Sequence, residues 1–522
     1  MQYKRKEIHR MIYLISLALL GISLPVSLFT MSVSELLLSA NWLLEGNFNK
    51  KFQILKQRKS LQFIISIYLI HVIGLLYSND LHYAIHDLRI KLPFLALPII
   101  IGTSESLNRK QVKYLLLLFI STVIVSSFIS TFILFDLTNI EVKNIRDISP
   151  FISHIRFALL INMAIFTLLY LILFNIYTTS FVLKILYLLA TIWLIVFLFL
   201  LQSFTGILIF LIITPIILFK WALNQKVIAV KSTIIFILLT SLILVVSFIN
   251  KSIKKFYSIN EIDIETINNF TINGNKYTHN FNNKSIENGN YVWLYICEKE
   301  MQNEWNKRSI YNYNGKDKKD QSLKHTLIRY LTSKGFRKDS AGIAQLTKED
   351  VELIENGYSN YIFKHKYGIY PRLYQILWEI DTYIKTGNPS GHSFTQRFEF
   401  QRNAVEIIKK HFWFGVGTGD VKKAFDIQYN ISNSPLTAKW RLRAHNQFIT
   451  FFLTFGFFGF LWIMFSLAYP IKLEKKHRDF LFIIFLMIAF ISMLNEDTIE
   501  THAGISFFSF FYSLLLLGLK NE

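Results

Sequence analysis

The stretch TQRFEFQRNAVEIIKKHFWFGVGTGDVKKAF (residues 395–425) leads, over a polar bridge, to RAHNQFITFFLTFGFFGFLWIMF (residues 443–465). A basic segment of helical period runs into a glycine turn, and a His-Asn pair then opens an apolar helix. Apolar runs of membrane-spanning character lie on both sides, so a watery domain meets a bilayer here. A polar constellation held at that surface is where chemistry on a lipid-linked substrate would have to happen.

Working outward, composition supports the membrane reading. Of 522 residues, 52% are hydrophobic and 48 are Phe, more than a soluble core needs, and they come in long uninterrupted runs. The formal charge of +21 raises the question of nucleic acid. The basic residues, however, sit mainly in short segments between apolar runs, which is a topology signal. With Cys297 alone, no intrachain disulfide or Cys-based zinc cluster can form. The first apolar run lacks a small-residue cleavage site and flows into another apolar run, so it does not read as a cleaved leader.

The fold expected is an all-α polytopic membrane protein of about twelve spans. They fall near 11–25, 27–45, 60–78, 91–103, 112–135, 152–174, 181–201, 204–219, 232–250, 446–468, 479–494 and 502–518. Three regions follow: an N-terminal bundle at 1–250 with about nine spans, a loop domain at 251–444, and a C-terminal bundle at 445–522 with about three. One set of loops is basic (Lys4 to Arg10, Lys50 to Lys59, Arg109 to Lys113, Lys184, Lys220 to Lys231, Lys472 to Arg478). The alternate short loops hold only Arg89, Lys91, Lys143 and Arg146, with acids such as Asp136, Glu141, Asp147, Glu496 and Asp497. Positive-inside bias therefore puts both termini in the cytoplasm and the large insertion, between spans nine and ten, outside.

That insertion is patterned. A Glu-Asn-Gly-Asn turn at 287–290 predicts a hairpin, and EKEMQNEWNKRS (298–309) switches to a helical period. Further helices are expected at 323–334 and from Thr347 as N-cap to Gly357. Another has Pro371 at its start and Gly387 just past its end. The insertion thus reads as an ordered, mainly helical domain.

The candidates for chemistry gather on the outer side. His445 has the side chain whose unperturbed pKa suits a general base; a histidine at such a place also commonly caps a helix or bonds a carbonyl. Asn446 either orients it or caps the helix that follows. Arg397 and Arg402 offer paired donors suited to a diphosphate. Their spacing of five turns them to partly different faces, and Glu399 and Glu406 nearby make a solvated helix face the competing reading. Gly415 and Gly417, in GVGTGD, either cradle phosphate through backbone N–H groups or simply turn the chain at the end of a helix. His154 and Arg156 open the sixth span, where an arginine must face the bundle or snorkel outward. Arg89 and Lys91 flank the fourth span at the same level. Glu496, Asp497 and Glu500 form an acidic cluster that binds a cation, neutralises Arg156 or Arg397, supplies a base, or is merely solvated.

At these residues the chain resembles the O-antigen ligase/polymerase family of membrane glycosyltransferases, Bacteroidetes-type members in particular. The resemblance lies in the Arg397 helix, the Gly-x-Gly turn, His445-Asn446 and the glycine-containing apolar helix, in that order after a long loop. It implies a periplasmic insertion and a multi-pass protein of the bacterial inner membrane. It also implies transfer of a glycan from undecaprenyl diphosphate to an acceptor such as lipid A-core, by one inverting displacement without cofactor or metal. His445 would be the base; Arg397 and Arg156 would stabilise the diphosphate. Asn446, His154, Arg402, Arg89, Glu500, Gly415 and Gly417 would line the substrate site. Where many members have Ser-Arg, this chain has Ser203-Phe204, which leaves Arg156 or Arg89 to supply that charge. Partners would be the lipid-linked donor, the acceptor and membrane lipids, and not nucleic acid. A polymerase of the same family differs only in its acceptor. A transporter or flippase of lipid-linked saccharide would need charges inside spans and paired broken helices, and the spans here are nearly free of interior charge.

Overall fold

A computed structural model of the chain describes residues 2–135, 137–138, 145–173, 180–260, 267–364 and 369–519. Asp136, Glu141 and Lys143 of the loop charge pattern lie outside the described residues. The first ten helices are α1 (Gln2–Ser23), α2 (Leu28–Glu45), α3 (Phe48–Gln57), α4 (Lys59–Ile73), α5 (Leu81–Ile90), α6 (Leu92–Thr103), α7 (Arg109–Leu134), α8 (His154–Leu173), α9 (Phe181–Leu200) and α10 (Phe204–Leu223). Then come α11 (Ile228–Tyr257), α12 (Glu298–Arg308), α13 (Leu323–Ser333), α14 (Ser340–Ala344), α15 (Lys348–Glu355) and α16 (Ile369–Thr386). The chain ends with α17 (Thr395–Lys410), α18 (Val421–Ile431), α19 (Gln447–Leu473), α20 (Phe480–Asn495) and α21 (His502–Leu516).

The protein is predominantly helical. Among the described residues, seven helical stretches are long and apolar enough to cross a membrane: 59–77, 109–134, 154–173, 181–200, 204–223, 228–257 and 447–473. Helices α20 and α21 are apolar but shorter, at 16 and 15 residues. The chain divides into two compact units, residues 1–224 with 386–522, and residues 225–385.

In the first unit the core is built around α8 and α21, which are apolar on every side and therefore buried. Helix α8 packs against α7, α9, α10 and α20. Its approach to α10 is close because the contact is small on small. A methyl group on Gly206 would lie 2.4 Å from the Ala158 methyl, and the buried Asn162 amide donates to the Gly206 carbonyl at 3.0 Å. Helices α4 and α19 run side by side, fastened at one end by Arg58, whose guanidinium grips both oxygens of Glu474 at 2.7 and 3.0 Å.

Helix α19 breaks at Gly456, where φ is 65° and ψ is −168°. The break is enforced by what fills it. Phe457 N–H, freed from the helix, donates to the Phe412 carbonyl at 2.8 Å, while Val416 and Gly417 N–H groups donate back to Leu453 and Thr454 at 3.0 and 2.9 Å. The glycine turn is thus stitched into the helix like a strand.

The second unit, by itself, has a small hairpin and a compact helical core. Ile286–Glu287 pairs antiparallel with Asn290–Tyr291, and Asn288 and Gly289 both take positive φ (49° and 86°), as a two-residue hairpin turn requires. Thr347 caps α15 in a reciprocal box with Asp350, and the chain turns away at Gly357 with φ of 74°. Trp305, Tyr313, Leu327, Tyr330 and Ile354 form the centre of this core.

Candidate functional site

The loop from Asn495 to Thr501, joining α20 to α21, is where the outer-side candidates meet. Helix α17 brings Arg397 to it. That guanidinium donates from Nη2 to Glu496 Oε1 at 2.5 Å, from Nη1 to the Ser393 carbonyl at 2.9 Å and from Nε to the Asn495 carbonyl at 3.3 Å. A guanidinium carries five N–H groups, so two remain for an anion. Phe400, one turn further along α17 on the same face, lies under the His445 ring with centroids 5.3 Å apart and planes 26° from parallel. Arg402, two residues beyond, turns to the opposite side; it is 71% exposed, 3.5 Å from Glu399.

His445 comes from the turn before α19. Its Nδ1 meets Glu496 Oε2 at 3.3 Å, so the two oxygens of one carboxylate divide between Arg397 and His445. An ionised carboxylate only accepts, which fixes the proton on Nδ1 and leaves Nε2 as the free lone pair. Burial alone would push the Glu496 carboxyl up. The His445 hydrogen bond and the charges of Arg397 and Arg156 outweigh it and hold the group below the usual range. The His445 backbone is left-handed, with φ of 49°, and its N–H donates to the Asp497 carboxylate at 3.1 Å. Asn446 caps α19: its side-chain oxygen accepts from Phe448 and Ile449 N–H at 3.0 and 3.1 Å, and its amide donates to the Leu494 carbonyl at 3.0 Å.

Arg156, at the start of α8, reaches the same loop from the other side. Nη2 donates to the Asp497 carbonyl at 3.1 Å and Nε to Thr501 Oγ1 at 3.4 Å. His445 and Arg156 therefore touch one residue, Asp497, through its carboxylate and its carbonyl. His154 opens the same helix half-buried, and Arg89 is exposed at the end of α5.

Beneath this surface lies a buried ion network that sequence reasoning largely missed. Glu500, whose side chain is 7% exposed, accepts on Oε2 from Lys91 at 2.9 Å and Arg443 at 2.7 Å, and on Oε1 from Gln447 at 2.9 Å. Lys91 also pairs with Asp87 at 2.6 Å, and Arg443 donates to the Tyr83 hydroxyl at 2.5 Å. The charges of Lys91 and Arg443 overcome burial and hold the Glu500 carboxyl low. Glu500 is an anchor under the site; Gln447, which it grips, in turn accepts the Ile499 N–H at 3.0 Å and so ties the start of α19 to the loop. Asp497, with Thr450 donating at 2.6 Å, has its carboxyl pushed up by burial.

The glycine turn has no free donors to offer a phosphate. Its N–H groups from 415 to 419 go to the His411, Leu453, Thr454 and Gly74 carbonyls and to the Ser78 hydroxyl. Gly415 and Gly417 have φ of 72° and 89°, and a methyl group on Gly415 would stand 2.4 Å from the Thr454 carbonyl. Phosphate cradling by backbone at Gly415 and Gly417 is therefore replaced by a structural role: they let the turn lie against α19 and the 74–77 turn.

The acidic cluster is the piece whose alternatives resolve. Glu496 neutralises Arg397 and orients His445, and Glu500 neutralises Lys91 and Arg443. Lys91 points inward where Arg89 points out. Arg443, two residues before His445, is placed by its bond to Glu500, and that spacing is its signal in the sequence.

No curated protein matches the chain. A model of the O-antigen ligase family matches residues 361–464, a segment that contains α17, the glycine turn, His445 and the kink of α19. That segment, about a fifth of the chain, is similar to the O-antigen ligase family, whose members act on lipid-linked glycan and acceptor substrates, and it lies in a protein with several helices long and apolar enough to cross a membrane.

Proposed function

We propose that the protein is a ligase of this family that moves a glycan from undecaprenyl diphosphate to an acceptor sugar such as lipid A-core, at the periplasmic face of the inner membrane. The observation that carries the reading is the sharing of Glu496 between Arg397 and His445. The acceptor hydroxyl attacks the anomeric carbon while His445 Nε2 takes its proton, and the resulting imidazolium is stabilised by Glu496 through Nδ1–H. The anomeric carbon–oxygen bond to the diphosphate breaks, and the electron pair leaves with the diphosphate, whose charge is met by the unspent N–H groups of Arg397 and Arg156. One displacement inverts the anomeric centre. Phe400 holds the imidazole plane so that Nε2 keeps its direction.

The test is transfer in vitro by the purified full chain, with lipid-diphosphate glycan as donor and, separately, lipid A-core or a second lipid-linked repeat as acceptor. Product with lipid A-core is expected. Product with the second repeat alone makes the enzyme a polymerase. His445→Gln, which keeps a polar side chain of similar size, is expected to lower kcat about 10²-fold or more while leaving the donor KM little changed. Transfer at the wild-type rate removes His445 as the base.

A further inference from the structure

Glu474, just past the end of α19, lies eighteen steps beyond Gly456, about 27 Å of helix, which nearly matches a hydrocarbon core of about 30 Å. The Arg58–Glu474 ion pair marks one interface, so the ring of aromatic residues around the Gly456 kink lies at the other. Those residues are exposed: Trp413 by 56%, Phe414 by 67% and Phe458 by 54%, with Trp413 stacked on Phe458 at 5.5 Å. This is the composition and the level of an interfacial aromatic belt.

Beside this belt opens a groove of about 420 Å³ between α17, α18 and the glycine turn, lined by Lys410, His411, Lys423, Tyr77, Asn79 and Asp420 among others. The carboxylate here is already engaged. Asp420 accepts from Asn79 N–H at 2.8 Å, the Asn79 amide at 3.0 Å and Asp80 N–H at 3.2 Å. Lys410 is held across the groove by Gln428 Oε1 at 2.8 Å. Lys423 is exposed, and among the described residues it pairs with no carboxylate. The glycine-turn backbone has spent its donors, so the two ammonium groups are what the groove presents.

We propose that this groove binds the phosphate of an anionic phospholipid headgroup from the leaflet on the glycine-turn side, with Lys410 and Lys423 on the phosphate and the acyl chains beside Trp413 and Phe414. An outer-leaflet lipid, rather than a free anion, is the occupant because the groove opens at the level where the aromatic belt meets headgroups. The inference rests on the chain spanning the bilayer and not on glycan transfer, so it stands or falls separately from that reaction. Its consequence is a lipid wedged against the turn that kinks α19.

The experiment is native mass spectrometry of the full chain in detergent micelles with equimolar phosphatidylglycerol and phosphatidylcholine. Preferential retention of phosphatidylglycerol is expected, falling about fivefold in Lys410→Gln and again in Lys423→Gln, as loss of one surface cation each predicts. Lys422→Gln, exposed and outside the groove lining, is expected to match wild type, and Lys→Arg at either groove position to restore retention. Equal retention of both lipids overturns the proposal, as does wild-type retention in the double Gln variant. Displacement by millimolar inorganic phosphate also overturns it, in favour of a free-anion site. Unchanged melting temperatures establish that the variants fold.

Discussion

His445 holds a left-handed backbone that a non-glycine residue adopts at a cost on the order of 1 kcal/mol. The cost is met locally, because that conformation turns its N–H to Asp497 while Asn446 caps the next helix. The residue scale therefore separates two kinds of carboxylate in one loop. Glu496 orients the His445 ring; Glu500 holds the floor. Glu496→Gln is expected to cost less stability than Glu500→Gln, because the Arg397 it leaves is partly exposed, and to lower kcat at least tenfold, because an amide can also present N–H to Nδ1 and stabilises the imidazolium less. Glu500→Gln is expected to act on stability instead, by about 3 kcal/mol, since Lys91 stays buried, beside a partly buried Arg443, with too little negative charge. Thermal unfolding in detergent beside kcat for both variants checks this; a stability loss in Glu496→Gln equal to that of Glu500→Gln would merge the two roles. The sign of the pH effect also follows. Because the folded-state pKa of Glu496 is depressed, its contribution to stability is full above the ordinary carboxylate range and is lost as pH falls through the lowered value. A loss of activity just below neutral pH is then not protonation of Glu496.

At the scale of elements, the glycine turn and the α19 kink form one joint, and two glycines with the same φ show what it demands. Gly46 (φ 73°), just past α2, has open space where a methyl group would go; Gly415 (φ 72°) has the Thr454 backbone 2.4 Å away. Gly46→Ala is expected to cost about 1 kcal/mol from backbone conformation alone. Gly415→Ala is expected to cost about 3 kcal/mol or more, because a backbone contact cannot rotate away. Denaturation in micelles measures both; equal losses would mean the turn is free to lift off α19. Helices, caps and hairpin turn were legible in the sequence because each is a local matter of apolar period, Thr347, or Asn288-Gly289. What the turn packs against was not, since its donors end on carbonyls of α19 and of the 74–77 turn, the latter more than three hundred residues away in sequence. The same limit applies to Arg89 and Lys91. A step of two residues rotates a helix position by about 200°, so either residue faces inward until Glu500 and Asp87 decide for Lys91.

At the scale of the whole molecule, the charge pattern gives an expected orientation, and a single chain property makes it testable. Counted through the twelve spans expected from the sequence, the basic loops all fall on one side and the loop that carries Glu496, Asp497 and Glu500 falls on the other. The positions of Arg397, His445 and Arg156 around that loop agree with a site on the acidic side, though their pairings could not be read from spacing, because Arg397 and Glu496 stand 99 residues apart. Cys297, the chain's one cysteine, is buried at 4% exposure, so new cysteines report without a competing thiol at the surface. Ile310, 93% exposed in the 225–385 unit, and Lys475, in the turn after α19 near the Arg58–Glu474 pair, make opposite probes. In intact spheroplasts, a membrane-impermeant maleimide is expected to label Ile310→Cys fully and Lys475→Cys only after permeabilisation. Since Ile310 is a surface side chain in a turn, its replacement costs little and the label reads topology rather than unfolding. Labelling of Lys475→Cys from outside would put the acidic loop, and with it the proposed donor site, in the cytoplasm, where a periplasmic acceptor does not reach.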